Sequence, residues 1–426
     1  MYAQPMNELE RRTLLGAAGA TALAALATGR AKGAGGGPLN PPAGPVASTL
    51  KPLAEVEPRT AINDANTPGT ATGRYRITRP GSYYLLDNIG GISGRHAIEI
   101  AASDVTIDLC GFQLSGVPAS GAFDGISVAA GGLTGLTVVN GTVRNWGRHG
   151  VNFATNNPEC CRVHAVHAAN CSGVGIAAGD RSIVSDCSGT GCGSSGVTAG
   201  FHSTILHCVG KSNGFTGISG GGDTLISHCS ASDNGTVGIG ASGGCVLMCS
   251  ANGNGTDGIS ATQGTISGCN AKGNSTGIRG GVGAAIVSCT AAANTQAGFS
   301  INDGGSLIDC NAMDNTVWNF VAADGCTVRG CNALANNAFP VQSNFRITGG
   351  QNRIEHNNAT GGGIGFDVES AGNFLSANTA RNNTTNYAVV AGNVCFVLVA
   401  ATSAAINGAS GGISPGTTNP WANFSF

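Results

Sequence analysis

The chain has 426 residues, of which only 10% are charged while 70 are Gly and 38 are Asn; a typical globular protein carries about 25% charged residues. Gly costs about 1 kcal/mol relative to Ala in a helix interior and Asn prefers to bond its own backbone, which excludes a mainly helical protein, and 41% hydrophobic residues with a net charge of −2 exclude a disordered one. A pI of about 6.4 also excludes the basic face that a nucleic-acid binder needs to replace phosphate counterions, leaving a turn-rich all-β protein.

At the N-terminus, Arg11-Arg12-Thr13-Leu14-Leu15 opens an uncharged stretch running to Ala27, with Ala25-Leu26-Ala27 as a small-residue processing site. This is the three-part logic of a secretory signal, and the paired arginines make it similar to a twin-arginine signal. The expectation is a signal segment over 1–30 and an exported protein of the periplasm, cell surface or extracellular space. The competing reading is an uncleaved anchor or a chance Arg-Arg pair. The apolar stretch is short of the about 20 residues that span a bilayer, and no later segment reaches that length, so no membrane span is expected in the mature chain. Residues 31–58, with Gly35-Gly36-Gly37 and Pro38, Pro41, Pro42 and Pro45, have the composition of a flexible linker.

Beyond the linker the sequence repeats. Cys187, Cys208, Cys229, Cys249, Cys269, Cys289, Cys310 and Cys331 recur at steps of 20 or 21 residues. Three residues before each stands an aliphatic residue, as in Ile205 and Ile226, and two after most of them stands Ala, as in Ala231 and Ala251. Five after come Asn213, Asn234, Asn254, Asn274, Asn294, Asn315 and Asn336, followed by Gly-aliphatic pairs such as Gly217-Ile218 and Gly238-Ile239. A unit this small, holding short β-prone pieces ended by Gly or Asn, buries its apolar side only by stacking on copies of itself. As coils of a parallel β-helix, equivalent residues stack about 4.8 Å apart in columns. Asn at the turn is expected to take the left-handed backbone conformation and bond the next Asn, and Gly before the aliphatic residue to supply positive φ. The expected domain is a single-stranded right-handed parallel β-helix over 59–402 with roughly 13 coils, a rod near 60 Å long at that spacing. Tyr83-Tyr84-Leu85-Leu86 and the run from Val394 to Val399 are expected to cap it, with a tail over 403–426.

The Ile-x-x-(Cys/Asn)-x-Ala-x-x-Asn-x-x-x-Gly-Ile unit, over about residues 95–390, resembles the right-handed parallel β-helix proteins of the pectin-lyase-like superfamily. Glu57-Pro58-Arg59-Thr60-Ala61-Ile62-Asn63 and Arg79-Pro80-Gly81-Ser82-Tyr83-Tyr84-Leu85 are similar to the opening of exported bacterial members. The resemblance implies the fold. For function it implies polysaccharide lyases, hydrolases and epimerases as well as non-catalytic proteins. The sequence lacks an Asp-Asp pair, Asn-Thr-Asp, Gly-His-Gly and Arg-x-Pro-x-x-Arg, so no residue role carries over from those enzymes.

Sixteen cysteines in an exported chain raise disulfides, metal binding or stacked free thiols; folding before twin-arginine export, in a reducing compartment, favours the thiols. Column alignment then yields two polar constellations. His96, Asp124 and His149 fall on successive coils beside Arg95 and Arg148, with Trp146 near them. A carboxylate between two imidazoles can tune a general base or hold a divalent cation, arginines can bind a uronate carboxylate, and Trp146 and Arg95 are the expected substrate contacts. A solvated column of rim charges is the structural alternative. The second constellation is Asp186, His207 and His228 just before the cysteines, a weaker metal candidate with no fourth ligand in view. The face formed by Thr198, Ser219, Gly240, Ser260, Arg279, Ser300 and Val321 is poor in the aromatic and acidic groups that glycan clefts use. Two functions follow as expectations: a carbohydrate-binding or carbohydrate-active envelope protein whose partner is a uronic-acid polysaccharide, or a non-catalytic surface solenoid. No regular Thr-x-Thr face of an ice-binding solenoid is present.

Overall fold

The computed structural model describes residues 57–118, 121–334, 343–395, 397–399, 405–408 and 422–425. The signal segment over 1–30, all but two residues of the linker over 31–58, and Asn336 lie outside them. The described residues form a parallel β-solenoid with no helix: one ladder of 16 strands, and a second assembly of 30 strands that carries the other two sides of each coil. A representative coil runs Ile218–Gly222, Leu225–Ser227, Ser230–Ser232 and returns as Ile239–Ser242. Sixteen strands in one ladder mean about 16 coils rather than roughly 13. The difference arises because most coils from Ile176 on are only 20 or 21 residues long and pairing continues past residue 402 through Ala405–Gly408 and Asn423–Ser425.

The register aligns the repeat position by position: Ile205 pairs with Ile226, Ala231 with Ala251, and Ile239 with Ile259. Alternate residues point inward, so the coil interior is a column of Ile and Val that becomes a stack of Phe299, Phe320, Phe345, Phe366 and Tyr387, with ring centroids 4.7–5.1 Å apart. Tyr83 and Leu85 are buried, and Gly81–Tyr84 and Val394–Cys395 pair as ordinary rungs of the ladders.

The eight ladder cysteines are buried, and all sixteen cysteines of the chain are free. Each thiol serves the backbone: the Cys208 N–H donates to Cys229 Sγ at 3.4 Å, and that thiol donates to the Ser227 carbonyl at 3.2 Å. Cys160 is exposed and Cys161 buried, as their adjacency requires.

Asn213 to Asn315 do form a buried ladder, by a different backbone device from the one expected. Positive φ falls on the residue before each Asn, such as Ser212 (53°), Asp233 (56°) and Asp314 (53°), which turns the Asn side chain inward. There Asn234 Oδ1 accepts from both the backbone N–H and the amide Nδ2 of Asn213, at 3.1 and 3.0 Å. Nor does the Gly before the aliphatic residue have positive φ. A Cβ on Gly238 would stand 2.6 Å from Asn254 Nδ2 and 2.6 Å from the Gly258 carbonyl, so Gly leaves room for the Asn ladder.

Candidate functional site

The register places Gly73, His96, Asp124 and His149 in one column at the start of the 16-stranded ladder, as the alignment of the repeat predicts. What holds them is a chain of side-chain acceptors. His96 Nδ1 accepts the Asp124 N–H at 2.9 Å, Asp124 Oδ1 accepts the His149 N–H at 3.0 Å, and His149 Nδ1 accepts the Val174 N–H at 2.8 Å. An Nδ1 that accepts a backbone N–H cannot itself carry a proton, so both imidazoles are neutral with the proton on Nε2. Burial lowers the pKa of both, with Asp124 pulling the other way.

Asp124 is fully buried and closed to substrate. Arg148 Nε donates to Oδ1 at 2.8 Å, Arg148 Nη2 and Asn152 Nδ2 donate to Oδ2, and Asn152 is 2.9 Å away. Burial raises its pKa, but the bonds from Arg148, Asn152 and the His149 N–H outweigh burial and hold it below the ordinary carboxylate value. General-base work is therefore not open to Asp124, nor to the occupied Nδ1 atoms of its neighbours. The cluster offers outward donors instead: the Nε2–H groups and what remains of the Arg148 guanidinium. Arg95 is half-buried, and its guanidinium has no partner among the described residues. Trp146 is 1% exposed and donates its indole N–H to the Leu114 carbonyl at 3.2 Å; it belongs to the core and cannot contact a substrate at the surface.

The second constellation lies at the corner before the cysteines. Asp186, His207 and His228 all have left-handed backbone, at φ 55°, 50° and 53°, a region in which Asp, Asn and His are enriched among non-Gly residues. His164, one coil earlier, joins them. Asp186 lies 3.2 Å from His164 Nδ1 and 3.7 Å from His207 Nδ1, and the rings of His207 and His228 are 5.4 Å apart. Among the described residues no three His, Cys, Asp or Glu side chains converge on a metal position.

A third cluster stands on the same 16-stranded face toward its C-terminal end, where the sequence analysis had named no site residue. Trp318, Ser343, Arg346, Asp367 and Glu369 are brought together by the pairings Trp318 with Ser343 and Arg346 with Asp367. The Arg346 guanidinium lies 4.6 Å from the centre of the Trp318 ring. Its Nε and Nη2 donate to the two oxygens of Glu369 at 2.7 and 3.2 Å, leaving Nη1 outside that pair. Ser343 Oγ donates to Asp367 Oδ2 at 2.8 Å. Burial raises the Asp367 pKa, Ser343 lowers it, and nearby Glu369 raises it further, with a net upward shift. Two carboxyl groups two residues apart thus stand in different environments, Asp367 partly buried with its pKa raised, Glu369 exposed and paired with a cation. Sequence columns could have found this group if the frame had been carried through the longer coil between Trp318 and Ser343, where the spacing departs from 21.

No family model matches this sequence, and no curated protein matches it. Among solved structures, the chain is similar to the A-module of the Azotobacter vinelandii mannuronan C-5 epimerase AlgE4, at 12% identity and TM-score 0.45, covering 82% of this chain and 91% of that one. It is similar to the periplasmic alginate epimerase AlgG at 10% identity and TM-score 0.33, covering 68% and 81%, and to the Dettilon tailspike protein gp208 at 14% identity and TM-score 0.29, covering 77% and 61%. At these identities and superpositions, none of them bears on what this chain acts upon.

Proposed function

We propose that this chain is an exported, envelope-associated β-helix protein that binds acidic polysaccharides of the uronic type along the outer face of the 16-stranded ladder and hydrolyses them at Asp367 and Glu369. The observation that carries the proposal is the Trp318–Arg346–Glu369–Asp367 cluster. Arg346, fixed by stacking and by a two-point clamp, keeps one edge for a sugar carboxylate. Asp367, the more buried of the two carboxyl groups, is assigned to serve the leaving oxygen, and Glu369, the more exposed one, to serve the attacking water. Asp367 lies in the strand Ile364–Val368 and Glu369 just past its end. Arg148 and Arg95, with the Nε2–H donors of His96 and His149, serve as a distal anchor for the same chain.

The proposal is tested by titrating purified protein with a panel of uronic and neutral polysaccharides, comparing wild type with Arg346→Ala and Arg148→Ala. Binding confined to uronic polymers, weakened about tenfold or more by Arg346→Ala, is expected. The bland run Thr198, Ser219, Gly240, Ser260 and Ser300 between the two polar ends favours a second reading, a non-catalytic surface solenoid. Absence of binding anywhere on the panel supports that one instead.

A further inference from the structure

The corner column does not stop at His228. The next residue in it, Met248, is 65% exposed and has φ 50°. Neither burial nor turn preference asks for Met at an exposed left-handed position, where Gly, Asn and Asp are the ordinary choices. His207, His228 and Met248 therefore stand on three successive coils, about 4.8 Å apart, with φ values of 50°, 53° and 50°, and the His207 and His228 rings are 5.4 Å apart. Each imidazole has an oxygen on its Nδ1 side. His207 Nδ1 faces Asp186 at 3.7 Å, and His228 Nδ1 lies 2.7 Å from Ser227 Oγ. The contact with Ser227 is the arrangement by which an oxygen partner fixes a ligating histidine and leaves Nε2 for the metal.

We infer that His207, His228 and Met248 form a solvent-facing copper site. Two imidazoles and one thioether are a soft donor set that suits copper over zinc or a hard alkaline-earth ion. The three side chains are exposed and reach a common ion by rotation about their own χ angles, and solvent completes the coordination. Asp186, held between His164 and His207, is a positioning residue for His207. The site lies on a corner and is independent of the polysaccharide face.

The test uses the full chain with its exposed thiols at Cys110, Cys160 and Cys245 blocked by N-ethylmaleimide, so that sulfhydryls do not compete. Cu(I) is titrated anaerobically against a chromogenic chelator, and Cu(II) is followed by electron paramagnetic resonance. Wild type should bind one copper with nitrogen hyperfine structure from two imidazoles. His207→Asn and His228→Asn, which tolerate the left-handed backbone, should each weaken binding more than tenfold and remove one nitrogen. Met248→Leu should weaken Cu(I) about tenfold while leaving Cu(II) little changed, and Asp186→Asn should cost about tenfold, at the lower end of partner-residue effects. Circular dichroism and melting temperature establish that each variant is folded. Failure of wild type to bind one equivalent, binding unaffected by His228→Asn, or Cu(I) affinity unaffected by Met248→Leu would overturn the assignment.

Discussion

Asn234 Oδ1 accepts two hydrogen bonds from Asn213, one from its backbone N–H and one from its side-chain amide, and the same pair recurs between Asn234 and Asn254 at 3.1 and 2.9 Å. The ladder makes each coil satisfy donors of the coil before it, inside a core where an unpaired polar group costs about 1–3 kcal/mol. Asn254→Ala leaves two buried donors of Asn234 without an acceptor, and the protein should lose about 2–4 kcal/mol in denaturant unfolding. Asn252→Ala is the control. Asn252 is exposed and bonds Ser250 Oγ, so its loss should stay within about 0.5 kcal/mol. Equal effects would mean that the ladder does not carry the stability.

Gly238→Ala tests the close approach that the ladder requires. The added methyl would meet Asn254 Nδ2 and the Gly258 carbonyl at 2.6 Å, and backbone cannot yield cheaply there. A loss of about 1–3 kcal/mol is expected, against little change for Gly240→Ala, where the nearest atom is 3.9 Å away.

Thiol titration separates stacked thiols from disulfides. Denatured, unreduced protein should release close to the sixteen thiols of the sequence, and native protein should react at three, Cys110, Cys160 and Cys245, because the rest are buried. A count near zero after denaturation would contradict a column of free thiols.

The N-terminal column makes the fold sensitive to mild acid. His96 and His149 have folded pKa values below their usual 6.5, so the unfolded chain takes up protons first as pH falls. Their contribution is fully present above pH 6.5 and is lost as pH drops toward the folded values. Asp124, also lowered, adds a second loss below its usual 3.8. Asp367 has the opposite sign: its raised pKa gives stability present below 3.8 and lost as pH rises through its folded value. Melting temperature should fall between pH 7 and 5 in wild type and fall less in His149→Gln. His149→Ala should lower melting temperature without abolishing polysaccharide turnover.

The stacking frame was legible because the residues facing the interior repeat by type: Ile226 over Ile205 and Cys229 over Cys208 leave little choice of register. The Cys and Asn columns also exchange residues. Cys331 donates its N–H to Asn357 Oδ1 at 2.9 Å, and Cys192 donates to Asn213 Oδ1 at 3.0 Å, so either side chain solves the same problem of accepting a neighbour's N–H. Column reasoning placed His96, Asp124 and His149 together, but could not show that backbone N–H groups occupy their lone pairs, since those donors have no side-chain signature. It passed over Trp318, Arg346, Asp367 and Glu369 because the step from Trp318 to Ser343 is longer than the repeat, and took Trp146 as exposed because a single buried indole has no periodic partner.

The most direct measurement is product formation from uronic polysaccharides by wild type and by Asp367→Asn, both shown to be folded. New reducing ends without unsaturated products, and a loss of about a hundredfold or more in Asp367→Asn, are the outcome expected if Asp367 serves as the general acid. No product from any uronic polymer, or product formed equally by Asp367→Asn, would contradict a hydrolytic site at Asp367 and Glu369.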